Sequence, residues 1–92
     1  FRQSYDIANR LKEVRFLAES LQGFGGINKQ AGKLDLSLDY LKQAEAVLDS
    51  TNYREDQIRI YKSLADVYNE QRNFEQASNY QGKYIQLKDS VY

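Results

Sequence analysis

The 92-residue chain has no cysteine, histidine, proline, methionine or tryptophan. Without cysteine and histidine it lacks the thiol nucleophile, the commonest general base and the commonest transition-metal ligands, which removes most enzyme mechanisms and every thiolate site. No disulfide contributes, and that alone leaves the redox compartment open. The charge also lacks a dominant sign: 13 Lys and Arg balance 13 Asp and Glu. Such a chain offers no basic field to a nucleic-acid backbone or an anionic membrane, and no segment concentrates one. No run approaches the ~20 apolar residues of a membrane span, and 41% hydrophobic with 28% charged residues is ordinary for a soluble globular domain. Phe1 stands where an initiator Met would, and nothing resembles a signal peptide, so the sequence reads as one domain excised from something longer, its compartment open.

What is present is a regular pattern of three and four. Val14, Leu17, Ala18, Leu21, Phe24, Gly25 and Asn28 follow it, then Leu34, Leu38, Leu41, Ala44 and Leu48, then Tyr61, Leu64, Ala65 and Tyr68, then Phe74, Ala77, Tyr80, Tyr84, Leu87 and Val91. These are four amphipathic helices. Tyr5, Ala8 and Leu11 imply a fifth ahead of a turn near Lys12 and Glu13, and strand-like alternation is absent. Gly32 can end one helix in the left-handed conformation, while Asn73 with Gln76, and Asn52 with Glu55, are spaced as N-terminal caps. Short connections make consecutive helices antiparallel hairpins.

Shifted by 40 residues, the chain matches itself: Leu21, Phe24 and Gly25 fall on Tyr61, Leu64 and Ala65, Gly32 and Lys33 on Arg72 and Asn73, and Tyr40 on Tyr80. Tyr61, Leu64, Ala65 and Tyr68, followed by Asn73, Phe74, Ala77 and Tyr80, resemble the tetratricopeptide repeat. The spacing near 40 and the ending from Tyr84 to Tyr92 are similar to the sensor regions ahead of Bacteroidetes-type two-component histidine kinases. The resemblance implies an all-α fold of antiparallel helical hairpins stacked as a short right-handed superhelix, about two and a half repeats long: residues 1–12 as the second helix of a truncated repeat, then repeats over 14–50 and 55–92. Asn28 in place of Tyr, Arg72 in place of the turn glycine and Ser37 in place of Ala depart from the pattern. Small residues at Gly25, Ala65 and Ala77 let helices approach, and the bulky Phe24 and Leu64 fill the grooves beside them. With so few repeats, the end faces at residues 5–11 and 84–92 are expected to be partly apolar and uncovered, to be closed by missing neighbours or by self-association.

In such a fold the first helix of each hairpin lines the inner surface. The implied partner contacts are Gln22, Gly26 and Gln30 on the earlier helix and Arg59, Lys62, Asp66, Asn69 and Glu70 on the later one, with Gly23 and Ser63 on the same surface. The paired Lys and Asn clamp that holds acidic tails in this family is absent, so a polar peptide or protein surface read by hydrogen bonds is the expected ligand. The implied role is a non-catalytic protein-binding or ligand-sensing region of a bacterial signalling protein. A self-association module is the alternative, and a regulator directed at response regulators is a third. No catalytic, cofactor or metal residues are expected. Gly23-Phe24-Gly25-Gly26 lacks the strand and the Lys-Ser or Lys-Thr of a phosphate loop. Asp35 with Asp39, and Asp66 with Glu70, lack calcium-loop spacing and read as solvated faces. Tyr61, Tyr68, Tyr80 and Tyr84 read as core, and Tyr53 and Tyr92 lie off that stripe.

Overall fold

Four α-helices hold nearly all of the described residues in a computed structural model of the chain: α1 (Arg2–Gln30), α2 (Leu34–Leu48), α3 (Arg54–Glu70) and α4 (Phe74–Asp89). The structure describes residues 2–49, 51 and 53–89, with side chains from residue 12 onward, and among them there is no β-strand. Helices α1 and α2 pack together, as do α3 and α4; α2 also packs on α3, and α1 touches α3. The α-carbons span 50 × 32 × 14 Å. The 29 residues of α1 set the long dimension, since they run about 43 Å at ~1.5 Å per residue. The thin dimension matches two helix layers roughly 9 Å apart.

The periodic apolar residues form the seams between these helices. Ala18 and Leu21 of α1 meet Leu38, Leu41, Ala44 and Leu48 of α2, and Ile60, Leu64, Ala65, Val67 and Tyr68 of α3 complete the core with Ala77 and Tyr80 of α4. The α1–α2 seam is close at Gly25, where an added Cβ would lie 2.8 Å from Leu41 Cγ. Buried Ser37 donates its hydroxyl to the Gly25 carbonyl at 2.7 Å. Serine at this position thus adds a helix-to-helix hydrogen bond. In the later hairpin two buried alanines, Ala65 and Ala77, occupy the matching positions.

The two hairpin turns are the same turn. Gly32 has φ 81° and Arg72 φ 62°, both in the left-handed region. The Lys33 N–H donates to the Asn28 carbonyl at 2.8 Å and the Asn73 N–H to the Tyr68 carbonyl at 2.9 Å, while the Gly32 and Arg72 N–H groups donate to Lys29 and Asn69 at 3.1 and 3.0 Å. This paired pattern closes a helix whose next residue is left-handed. The backbone therefore carries the 40-residue register as the side chains do. Asn73 Oδ1 accepts the Gln76 N–H at 3.4 Å, which caps α4.

Several local expectations are corrected. No turn interrupts α1 at Lys12 and Glu13; both are good helix formers with no glycine or proline beside them, so the expected fifth helix is continuous with the next. Asn52 lies outside the described residues, and α3 starts after Tyr53 with no side-chain cap. The link is tied instead through the Leu48 carbonyl, which accepts from Thr51 Oγ1 at 2.7 Å and from the Gln57 side-chain amide at 2.8 Å. Leu17, Phe24 and Phe74, placed on buried stripes by their spacing, are exposed. Phe24 fills no groove; its ring rests against Tyr40 at 5.5 Å, because α2 and α3 cover only one side of α1. Of the expected apolar ends, the side chains of residues 5–11 and all of 90–92 lie outside the described residues. Tyr84 is half-buried and Ile85 exposed.

Candidate functional site

Two clamps hold α1 beside α3. Near the start of α3, Asp56 is buried, and its Oδ2 accepts from Arg15 Nε of α1 at 3.1 Å, with Arg59 Nη1 3.9 Å from the other oxygen. A carboxylate in the first turn also suits the positive end of the helix dipole. The Arg15 guanidinium lies 5.4 Å from the centre of the Tyr53 ring, which gives that tyrosine a structural contact. At the other end, Lys29 Nζ stands 4.0 Å from Asp66 Oδ2 and 4.0 Å from Glu70 Oε1. Asp66 and Glu70, one turn apart, thus share an ammonium ion. These groups are half-exposed, so each pair is worth at most ~1 kcal/mol and yields readily to a ligand's charge.

Between the clamps runs a groove of about 480 Å³, with Gly25, Gly26, Lys29 and Gln30 on the α1 side, Ser63, Val67 and Glu70 on the α3 side, and Ser37 and Leu41 of α2 beneath. It continues into a depression of about 300 Å³ bounded by Lys29, Asp66, Asn69 and Glu70. Leu41 and Val67 give it an apolar bottom, and hydroxyl, amide and charged groups form the rims. At Gly26 a Cβ would meet nothing within 4 Å, so its bare backbone leaves room for an incoming chain. Among the described residues no three Asp, Glu, His or Cys side chains are grouped to hold a metal ion, and no buried side-chain nitrogen or oxygen lacks a hydrogen-bond partner. The groove can accept and donate hydrogen bonds and take up a side chain.

The structure brings Gly26, Gln30 and Glu70 into this groove, and Asp66 and Asn69 into its extension. Gln22 is half-buried on α1 and lines neither part. Arg59 lies against Asp56. Lys62 borders a separate depression of about 280 Å³ with Ala65, Asp66, Gln81, Tyr84 and Ile85. Lys29, central to the groove, was not among the residues singled out by sequence. Its signal was available, since it precedes Asn69 by 40 residues and follows Gly26 by one turn.

On the opposite side the tyrosines knit α2, α3 and α4. Tyr68 and Tyr80 stack with centroids 5.7 Å apart, Tyr61 lies 6.1 Å from Tyr80, and Lys83 Nζ sits 4.9 Å from the Tyr80 centroid. The Tyr80 hydroxyl donates to Glu45 Oε1 at 3.1 Å, bridging α4 to α2. Burial, reinforced by the Glu45 carboxylate, pushes the Tyr80 phenol well above the ordinary tyrosine range, and burial raises Tyr61 in the same direction. Asp35, one of the paired carboxylates, accepts from Gln71 at 2.9 Å. No helix among the described residues is long and apolar enough to cross a membrane. No family model, curated protein or solved structure matches the chain.

Proposed function

We propose that this chain is a non-catalytic interaction scaffold of the tetratricopeptide kind that binds a polypeptide segment along the groove between α1 and α3. The observation that carries this reading is a ladder of equivalent positions. Gly26 and Asp66, Lys29 and Asn69, and Gln30 and Glu70 are pairs 40 residues apart in sequence, and all six line the groove or its extension. A ligand that repeats its own polar groups every ~3.3 Å, as an extended polypeptide does, suits such a ladder. Two carboxylates against one ammonium on the rim favour a segment that brings a basic side chain. In a larger bacterial signalling protein of the sensor-kinase type, filling the groove would change the angle between the two hairpins and pass occupancy to an output domain.

A random-peptide phage library panned against the immobilised chain tests the reading. Enriched peptides should lose at least about tenfold in affinity to Asp66→Lys or Glu70→Lys, a difference of ~1.4 kcal/mol. They should be indifferent to Glu75→Lys, which changes an exposed carboxylate on α4. A library that yields no ligand, or ligands that ignore the groove substitutions, would overturn it.

A further inference from the structure

Phe16, Leu17, Phe24 and Ile27 form a strip along α1 and are 72, 47, 52 and 64% exposed. Leu36, 46% exposed, extends the apolar surface onto α2. On α3, the positions 40 residues after Phe16, Ser20, Phe24 and Ile27 are Asp56, Ile60, Leu64 and Val67, and all four are buried where α3 packs on the preceding hairpin. The α1 strip is therefore the face that, one repeat later, serves as a helix-packing interface. Its apolar side chains expose about 500 Å², as much as the largest patch on a typical monomer.

We propose that this strip joins two copies of the chain in a symmetric dimer, their α1 helices crossing antiparallel about a twofold axis at Ser20. The two phenylalanines are placed for that symmetry, and Ile27 falls opposite Glu13 at the edge of the contact. Phe16 and Phe24 lie one turn to either side of Ser20, so the axis sets Phe16 of one copy against Phe24 of the other and Leu17 against Gly23. Serine at the crossing and a glycine whose Cβ would meet nothing within 4 Å allow close approach. A second copy is the occupant because the strip is the one face of its kind on the described chain. Head-to-tail stacking would instead set it on the far end, where Ser78, Gln81 and Lys88 stand 40 residues after the buried Leu38, Leu41 and Leu48 of α2. Polar residues at these three positions make the described part of that end less apolar than the strip, with Ile85 its large exposed hydrophobic residue. Strip on strip buries at most about 1,000 Å² in total, the lower bound of a stable interface. An isologous contact of this kind closes at two copies.

The strip lies apart from the α1–α3 groove, so this inference and the peptide-binding reading stand or fall separately. Analytical ultracentrifugation at about 100 μM, a concentration that populates even a weak dimer, should give twice the 10.8 kDa of the monomer. Phe16→Asp and Ile27→Asp should sediment as monomers with unchanged helical circular dichroism, their dissociation constants raised at least about a hundredfold by an unpaired buried charge. Because the chain has no cysteine, Ser20→Cys is a unique probe that should give disulfide-linked dimers on mild oxidation, while Ile85→Cys should not. A monomer at that concentration, a dimer indifferent to both aspartate substitutions, or cross-linking through Ile85→Cys in preference to Ser20→Cys would overturn the proposal.

Discussion

Alanine at Gly25 would place its Cβ 2.8 Å from Leu41 Cγ and 2.9 Å from Leu41 Cδ2, inside a buried seam, whereas at Gly23 or Gly26 it would meet nothing within 4 Å. The gain in helix propensity, about 1 kcal/mol, is the same at all three positions. At Gly25 the overpacking cost of roughly 1–3 kcal/mol outweighs it. Urea unfolding should therefore find Gly23→Ala about 1 kcal/mol more stable than the parent and Gly25→Ala less stable, and similar effects at the two sites would contradict the seam. Arg72 gives a second residue-scale prediction. With φ 62° and the same turn hydrogen bonds as Gly32, it carries a strain of roughly 1 kcal/mol that glycine would relieve. Arg72→Gly should raise the melting temperature by a few degrees in a calorimetric scan; an unchanged or lower value would contradict it. Both positions were legible in the sequence, because the 40-residue register aligns Gly25 with Ala65 and Gly32 with Arg72. The same register aligns Lys29 with Asn69, but its ion pairs with Asp66 and Glu70 are made across two helices and show only in the fold.

Between helices, side chains rather than backbone contact join α4 to α2. Tyr80 donates across that gap to Glu45 and stacks on Tyr68 of α3. Its phenol stays protonated in the folded chain well above the 10.0 of an unfolded tyrosine. The unfolded chain thus binds fewer protons above that pH, and stability falls as pH rises beyond about 10, by up to ~1.4 kcal/mol per pH unit. Below it both states are protonated and Tyr80 contributes no slope. Tyr80→Phe should cost about 1 kcal/mol at pH 7 through the lost hydrogen bond and show a shallower alkaline decline. Urea titrations at pH 7 and in steps above 10 measure both, and an equally steep decline in the variant would contradict the assignment. Helix existence was readable from periodicity, but helix continuity was not. Tyr5, Ala8 and Leu11 step in the same period as the residues after Glu13, and the pattern alone does not say whether one helix or two carries it. Nor does periodicity say which stripes are covered. Leu17 and Phe24 share the spacing of Leu21 and Gly25, yet α2 and α3 reach only the latter.

At the scale of the whole molecule, the all-helical architecture and the hairpin register came through in sequence, because local propensity, glycine punctuation and the internal match agree. Of the positions that the resemblance implies for the inner surface, Gly26, Gln30, Asp66, Asn69 and Glu70 line the groove and its extension, whereas Arg59 and Lys62 turn elsewhere, Arg59 to a buried carboxylate on its own helix. The central claim is that successive helices pack through small-residue seams in a 40-residue register, leaving a groove between α1 and α3 for a partner. One nuclear Overhauser spectrum of the chain in solution tests all three seams together. The account predicts cross-peaks between the Gly25 α-protons and the Leu41 methyls for α1 on α2, between the Lys42 side chain and the Tyr68 ring for α2 on α3, and between the Tyr68 and Tyr80 rings for α3 on α4. A helical chain that lacks these cross-peaks, with Gly25 open to solvent, would contradict it.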